Sequence, residues 1–183
     1  MPCCSENGQA IGSGIIFFGI KSGFFRLFGY NLSQLFFFSV FLTLDGLLFY
    51  ESLSLGLKLF PGSAYDNLYE CYGAFPVVTS FEVVEHVYFP REYAATLFSL
   101  CEHGGTVILS TPYHGYWKNL ALAFTGKMDA HFTALWDYGH IKFWSMKTLT
   151  QLLLEAGFEN IRFKRVGRIP VLAKSMIAIA TKK

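Results

Sequence analysis

The sequence predicts an α/β fold: a doubly wound, mostly parallel sheet with an antiparallel strand pair at its C-terminal end and an irregular or incomplete N-terminal part. Two observations place the parallel strands. Phe75-Pro-Val-Val-Thr-Ser80 and Thr106-Val-Ile-Leu-Ser-Thr111 are short, β-branched apolar runs, the pattern of strands buried on both faces. A third places the antiparallel end. Phe158–Val166 alternates, Met176–Thr181 is apolar, and no helix-length segment separates them.

Taken in order, Pro61-Gly62 marks a turn, and Ala64–Tyr72 has the length of a short helix ending at Gly73. Pro90 suits the first turn of a helix over Arg91–Glu102, which Gly104-Gly105 would stop. Thr106–Thr111 ends at Pro112. Leu149–Ala156 is amphipathic, with Gly157 placed as its C-terminal cap. Strand, helix, strand, helix and a final strand pair make residues 61–183 one α/β domain.

Residues 1–60 differ in composition. They hold eleven of the twenty Phe and six charged side chains, Glu6, Lys21, Arg26, Asp45, Glu51 and Lys58. The longest apolar run, Leu35–Leu44, stops at Asp45-Gly46 and is shorter than the roughly 20 residues that cross a bilayer. A membrane association through residues 15–60 would therefore be peripheral. A net charge of +2, with Lys127, Lys142, Lys147, Lys164, Arg165 and Arg168 spread along the chain, gives no basic stripe, and no nucleic-acid partner is expected. Cys3, Cys4, Cys71 and Cys101 lack paired spacing and read as reduced thiols of a cytoplasmic protein.

The segment Ser80-Phe-Glu-Val-Val-Glu-His-Val87 concentrates polar chemistry in an apolar chain. Ser80 ends a strand, so the residues after it lie at the carboxyl edge of the sheet, where open α/β folds bind ligands. If Glu82 opens a helical turn, Glu82, Glu85 and His86 share one face at i, i+3 and i+4, while Val83, Val84 and Val87 turn inward. Such a face offers three ligands to a divalent cation such as Mg²⁺, with His140 as a fourth from a later loop. The plainer alternative leaves Glu82 on a helix dipole, Glu85 solvated and His86 at the boundary of the core.

"FPVVTSFEVVEHVYFP", "HGGTVILSTPYHGYWKNLALAFTG" and "GHIKFWSMKTLTQLLLEAGFENI" resemble the class I S-adenosylmethionine-dependent methyltransferases, a Rossmann-like family, over residues 62–182. The nearest likeness is to the ubiquinone-pathway O-methyltransferases and their type 11/12/23 relatives. The resemblance implies transfer of the cofactor's methyl group to a small acceptor, with Phe81 against the cofactor and Ala64 and Tyr65 bordering its adenine. It also implies a metal at Glu82, Glu85, His86 and His140, with His86 or His140 as general base where no metal binds. The aromatic insertion Tyr113–Trp136, with Tyr116, Trp117, Phe124 and Phe132, would line a pocket for a lipophilic phenol.

The family's first motif is the point of departure. In the family it is a strand, a Gly-x-Gly-x-Gly loop and, about seventeen residues on, an acid that holds the ribose hydroxyls, the distance from Gly14 to Asn31. The best-matching candidates are Gly12, Gly14 and Asn31, but Ala10 stands for the first glycine and Asn31 for the acid. Pro76 also replaces a usual Asp. The N-terminal third therefore reads as a damaged cofactor half, a divergent working one, or an unrelated apolar segment. In the last case the chain is a catalytically inactive, methyltransferase-like module that binds a membrane or a partner.

Overall fold

The computed structural model describes residues 63–135 and 139–183, together with the backbone of two strands at 15–19 and 39–42. Six strands form one sheet: β1 (Ile15–Gly19), β2 (Ser39–Leu42), β3 (Phe75–Phe81), β4 (Cys101–Pro112), β5 (Phe158–Val166) and β6 (Ser175–Lys182). Their order is β2-β1-β3-β4-β6-β5. The first four are parallel, and β6 runs antiparallel between β4 and β5. This is the doubly wound sheet with an antiparallel end, and β1 and β2, from the Phe-rich segment, belong to it.

The chain passes from β1 outward to β2 and returns to β3 on the other side of β1, which makes the β1/β3 boundary the switch point. At its carboxyl edge Gly19 pairs in register with Phe81, and Phe81 with Ser110. The strands feed the loops of this edge.

The core lies between the sheet and helices α1 (Leu68–Tyr72), α2 (Pro90–Leu100) and α5 (Met146–Glu155). Tyr93, Ala94, Leu97 and Leu100 of α2, and Leu149, Leu152 and Leu153 of α5, are buried against it. Phe98 meets Phe158 edge-on at 5.1 Å between ring centres. Two further helices, α3 (Tyr116–Phe124) and α4 (Met128–Phe132), occupy the aromatic insertion, where the sequence pattern suggests a loop.

Element ends depart from expectation for local reasons. α1 starts at Leu68 because Ser63 N–H donates to the Asp66 carboxylate at 2.6 Å, a side-chain turn that competes with helix. α5 starts early because Ser145 and Thr148 form a reciprocal capping box. Gly157, at φ +101°, follows α5 as expected.

The Gly104-Gly105 pair lies inside β4. Phe75 pairs with Cys101 and Val77 already with Thr106, so the extra residues of β4 form a bulge opposite Pro76. The bulge also explains how a proline enters the strand at its second residue. A Cβ on Gly105 would stand 2.9 Å from both Cys101 Sγ and Glu102 O, and 3.0 Å from Pro76 O. Gly105→Ala should therefore lower stability by about 1–3 kcal/mol, read as an earlier midpoint in urea unfolding. An unchanged midpoint would mean that the bulge is not rigid.

Among the described residues no helix is long and apolar enough to cross a membrane. The peripheral association expected of residues 15–60 falls mostly outside the described residues, as do Gly12, Gly14, Asn31 and Trp136.

Candidate active site

The acid-rich segment after β3 forms a tight turn, not a helix. His86 N–H donates to Val83 O at 2.9 Å, and Glu82 adopts a left-handed φ of 54°. Such a conformation costs a non-glycine residue on the order of 1 kcal/mol, and the neighbouring strand holds it in place. Glu82 N–H donates to Ser110 O at 3.1 Å, and Ser110 Oγ–H donates to Glu82 Oε1 at 2.8 Å. Val83, Val84 and Val87 are buried, as the sequence pattern required.

Despite the left-handed turn the two acids stay neighbours, and Glu82 bears on Glu85 through both its charge and a side-chain contact. Glu82 lies along β4, whereas Glu85 is only 1% exposed. Neither Glu85 oxygen has a hydrogen-bond partner among the described residues. The Thr111 hydroxyl comes near enough to favour the charged form, but not into hydrogen-bonding geometry. Burial first, then the charge of Glu82, holds the Glu85 carboxyl well above the usual carboxylate range. Tyr93 closes the floor behind it through a short hydrogen bond to Ser80, and the same burial raises its phenol.

His140 Nε2 stands 3.9 Å from Glu85 Oε1, and the His86 and His140 rings meet edge-on at 4.8 Å. One ligand atom from each of Glu85, His86 and His140 fits within a span of 4.8 Å. The loop carrying His140 is fastened to the turn, since Ile141 and Lys142 N–H both donate to Glu85 O at 2.9 Å. Trp144 Nε1–H donates to Val84 O at 3.0 Å. Three of the four residues expected as ligands thus come together, while Glu82 adjoins Glu85 and is bonded to Ser110.

Phe81 ends β3 at the switch point, half-buried. Tyr65 reaches the same edge, accepting on its hydroxyl from Phe89 N–H at 3.2 Å, with its ring edge-on to Phe89 at 5.9 Å. Ala64 packs against the core. Tyr113 is buried, but Tyr116, Trp117 and Phe124 point to solvent, because α3 turns its aromatic side outward. Among the described residues these three form no closed pocket wall.

A protein-family model described as a methyltransferase domain (type 23) matches residues 24–162. The chain belongs to this methyltransferase family. S-adenosylmethionine is the family's cofactor, and the protein is a class I S-adenosylmethionine-dependent methyltransferase. A SAM-dependent methyltransferase from Thermotoga maritima is 14% identical, with TM-score 0.63 over 91% of this chain and 81% of that one. An O-methyltransferase family protein from Burkholderia thailandensis is also 14% identical, with TM-score 0.63 over 93% and 51%. A SAM-dependent methyltransferase from Archaeoglobus fulgidus is 12% identical, with TM-score 0.60 over 92% and 86%. At these identities the likeness is one of fold. Comparison with curated proteins returned no match.

The position of β1 in the sheet bears on where a glycine loop can lie. In this fold the loop has to follow the first strand. Gly12 and Gly14 precede Ile15, where β1 begins, whereas Gly19 ends β1 and Gly23 follows it. Asp45 stands three positions past β2 and 22 residues after Gly23. The signal was the Ile-Ile-Phe-Phe-Gly run itself, hidden in a segment apolar throughout.

His114 is a second omission. It follows β4 and is buried, with an unpartnered Nδ1 among the described residues. Burial, then the charges of Lys118, His131 and His140, pull its imidazole down to about 4. The folded chain thus resists protonating His114, while the unfolded chain takes up a proton near the ordinary histidine range. The unfolded state binds more protons between about pH 6.5 and 4, so stability falls as pH drops through that window. Comparing urea unfolding at pH 7 and 4.5, His114→Phe should remove roughly 1–3 kcal/mol of the difference. A difference unchanged by the substitution would place the titration elsewhere.

Proposed function

We propose that this methyltransferase modifies a hydroxyl of a small acceptor beside Glu85, His86 and His140, which hold a divalent cation. The observation that carries the reading is the buried Glu85 carboxyl beside two imidazoles, with no hydrogen-bond donor on its oxygens among the described residues, at the sheet edge where the family's cofactor binds. A carboxylate with no donor is costly unless a cation or proton meets it. One carboxylate and two imidazoles fit a divalent metal. With nitrogen in the majority, the set suits Mn²⁺, Fe²⁺ or Zn²⁺ better than the Mg²⁺ expected from two carboxylates.

S-adenosylmethionine supplies an electrophilic methyl group, and a bound cation would lower the pKa of an acceptor hydroxyl. The remaining work falls to the chain. Glycines 19 and 23 would let the backbone approach the cofactor, Asp45 would accept from its ribose hydroxyls, and Phe81 would give it an apolar wall. The closed turn fixes the angle between Glu85 and His86, and the two bonds to Glu85 O carry His140 to them. A neutral imidazole whose lone pair is given to a metal carries its proton on the other nitrogen, so His86 and His140 would serve as bases only where no cation is held.

Calorimetry with S-adenosylmethionine, followed by Mn²⁺ on the complex, tests both parts. Saturable heat in each step is expected. No heat at millimolar cofactor would assign the chain to a non-catalytic role, and cofactor heat without metal heat would leave His86 and His140 as bases.

A further inference from the structure

A second polar cluster stands beside the proposed centre and takes no part in it. Lys118 is the one buried residue of α3. Its Nζ donates to Tyr113 O at 2.7 Å and to Lys174 O at 3.4 Å, two neutral acceptors, and among the described residues no acid pairs with its charge. Buried lysines are ordinarily paired with acids. Among the described residues the charged groups acting on it and its neighbours are basic: Arg168 on Lys118, Lys118 and Arg168 on His131, and Lys118, His131 and His140 on His114. His114 and His131 lie 5.4 Å apart between ring centres. His114 Nδ1 and Asn119 Oδ1 are both buried without a partner among the described residues. Lys118, drawn down to about 8 by burial and Arg168, still carries its charge at neutral pH.

The loop at 139–145 ties this cluster to the proposed centre. It places His140 beside Glu85, and it places Phe143 edge-on to His114 at 5.0 Å and to Phe132 at 4.9 Å. His114 N–H donates to Trp144 O at 3.1 Å. Phe132 lies nearly parallel to His114, at 18° and 5.8 Å. The two clusters therefore sit at the two ends of one short backbone segment, with aromatic rings at the basic end.

We propose that Lys118, Arg168, His131 and His114 form an anion-binding subsite that holds the carboxylate or phosphate of the methyl acceptor. The proposal rests on the reading of Glu85, His86 and His140 as the acceptor's reacting end, and it narrows the acceptor to a planar aromatic acid or a phosphorylated hydroxy compound. A wholly lipophilic phenol would leave the buried ammonium with only its two carbonyl acceptors among the described residues.

The test titrates the full chain, observed by NMR, with inorganic phosphate, benzoate and the neutral isostere benzamide. Saturable shifts are expected with benzoate or phosphate, with benzamide at least about tenfold weaker. Arg168→Gln and Lys118→Met should each weaken the anion about fivefold or more, whereas Glu85→Gln should not. Lys118→Met also frees two backbone carbonyls. Should it fail to fold, Arg168→Gln, at an exposed position, decides alone.

Equal binding of benzoate and benzamide, or anion binding unchanged by Arg168→Gln, would overturn the subsite. So would retention on phosphatidylglycerol vesicles without binding of either small anion, which would give the charge to a lipid headgroup. Loss of metal binding with anion binding intact refutes the neighbouring centre and leaves this one standing.

Discussion

Glu85→Met is expected to reverse the order of stability between the metal-free and metal-loaded protein. In the metal-free chain two carboxylate oxygens lie buried without donors. Replacing them with an apolar side chain of similar length removes a desolvation cost of about 1–3 kcal/mol, so the variant should unfold at a higher temperature under chelator. Saturating Mn²⁺ should invert this. A ligand at a hundredfold excess over its dissociation constant adds about 2.7 kcal/mol to a protein that binds it only when folded. The parent gains that increment, and the variant loses it with its carboxylate. Thermal unfolding of both proteins, with chelator and with Mn²⁺, reads the effect in four curves. A variant that gains as much as the parent from Mn²⁺ places the metal elsewhere. A His140→Ala variant isolates the imidazole, because that side chain is 26% exposed and its loss opens little cavity.

The legible part of this site came from strand ends. Phe75–Ser80 and Thr106–Thr111 can be read because burial on both faces demands β-branched apolar residues, and the loops after them had to fall at the binding edge. The backbone shape of the turn carrying Glu82 and Glu85 was not legible. Its prediction assumed right-handed backbone at Glu82, and the φ of 54° is fixed by Ser110, which is distant in sequence. The inverted α3 was hidden for a similar reason. Aromatic residues at Tyr116, Trp117 and Phe124 suggest a buried face, yet the backbone carbonyls of Tyr113 and Lys174 turn Lys118 inward instead. Tertiary hydrogen bonds overrode pattern in both places.

The N-terminal half poses a different problem, because periodicity fails where every position is apolar. Parallel pairing of Ile15 with Ser39 and with Val77 fixes what composition could not, namely which residues follow which strand. Asp45→Ala should therefore weaken S-adenosylmethionine binding by about 10- to 150-fold, the worth of a charge-assisted hydrogen-bond pair at roughly 1.5–3 kcal/mol. Asn31→Ala should leave the affinity unchanged. The two substitutions compete directly, since a class I site uses one residue after its second strand to hold the ribose. If Asn31→Ala carries the loss and Asp45→Ala does not, the glycine loop belongs at Gly12 and Gly14, and Ile15–Gly19 is not the strand that presents the cofactor. Calorimetry on the three proteins decides between them.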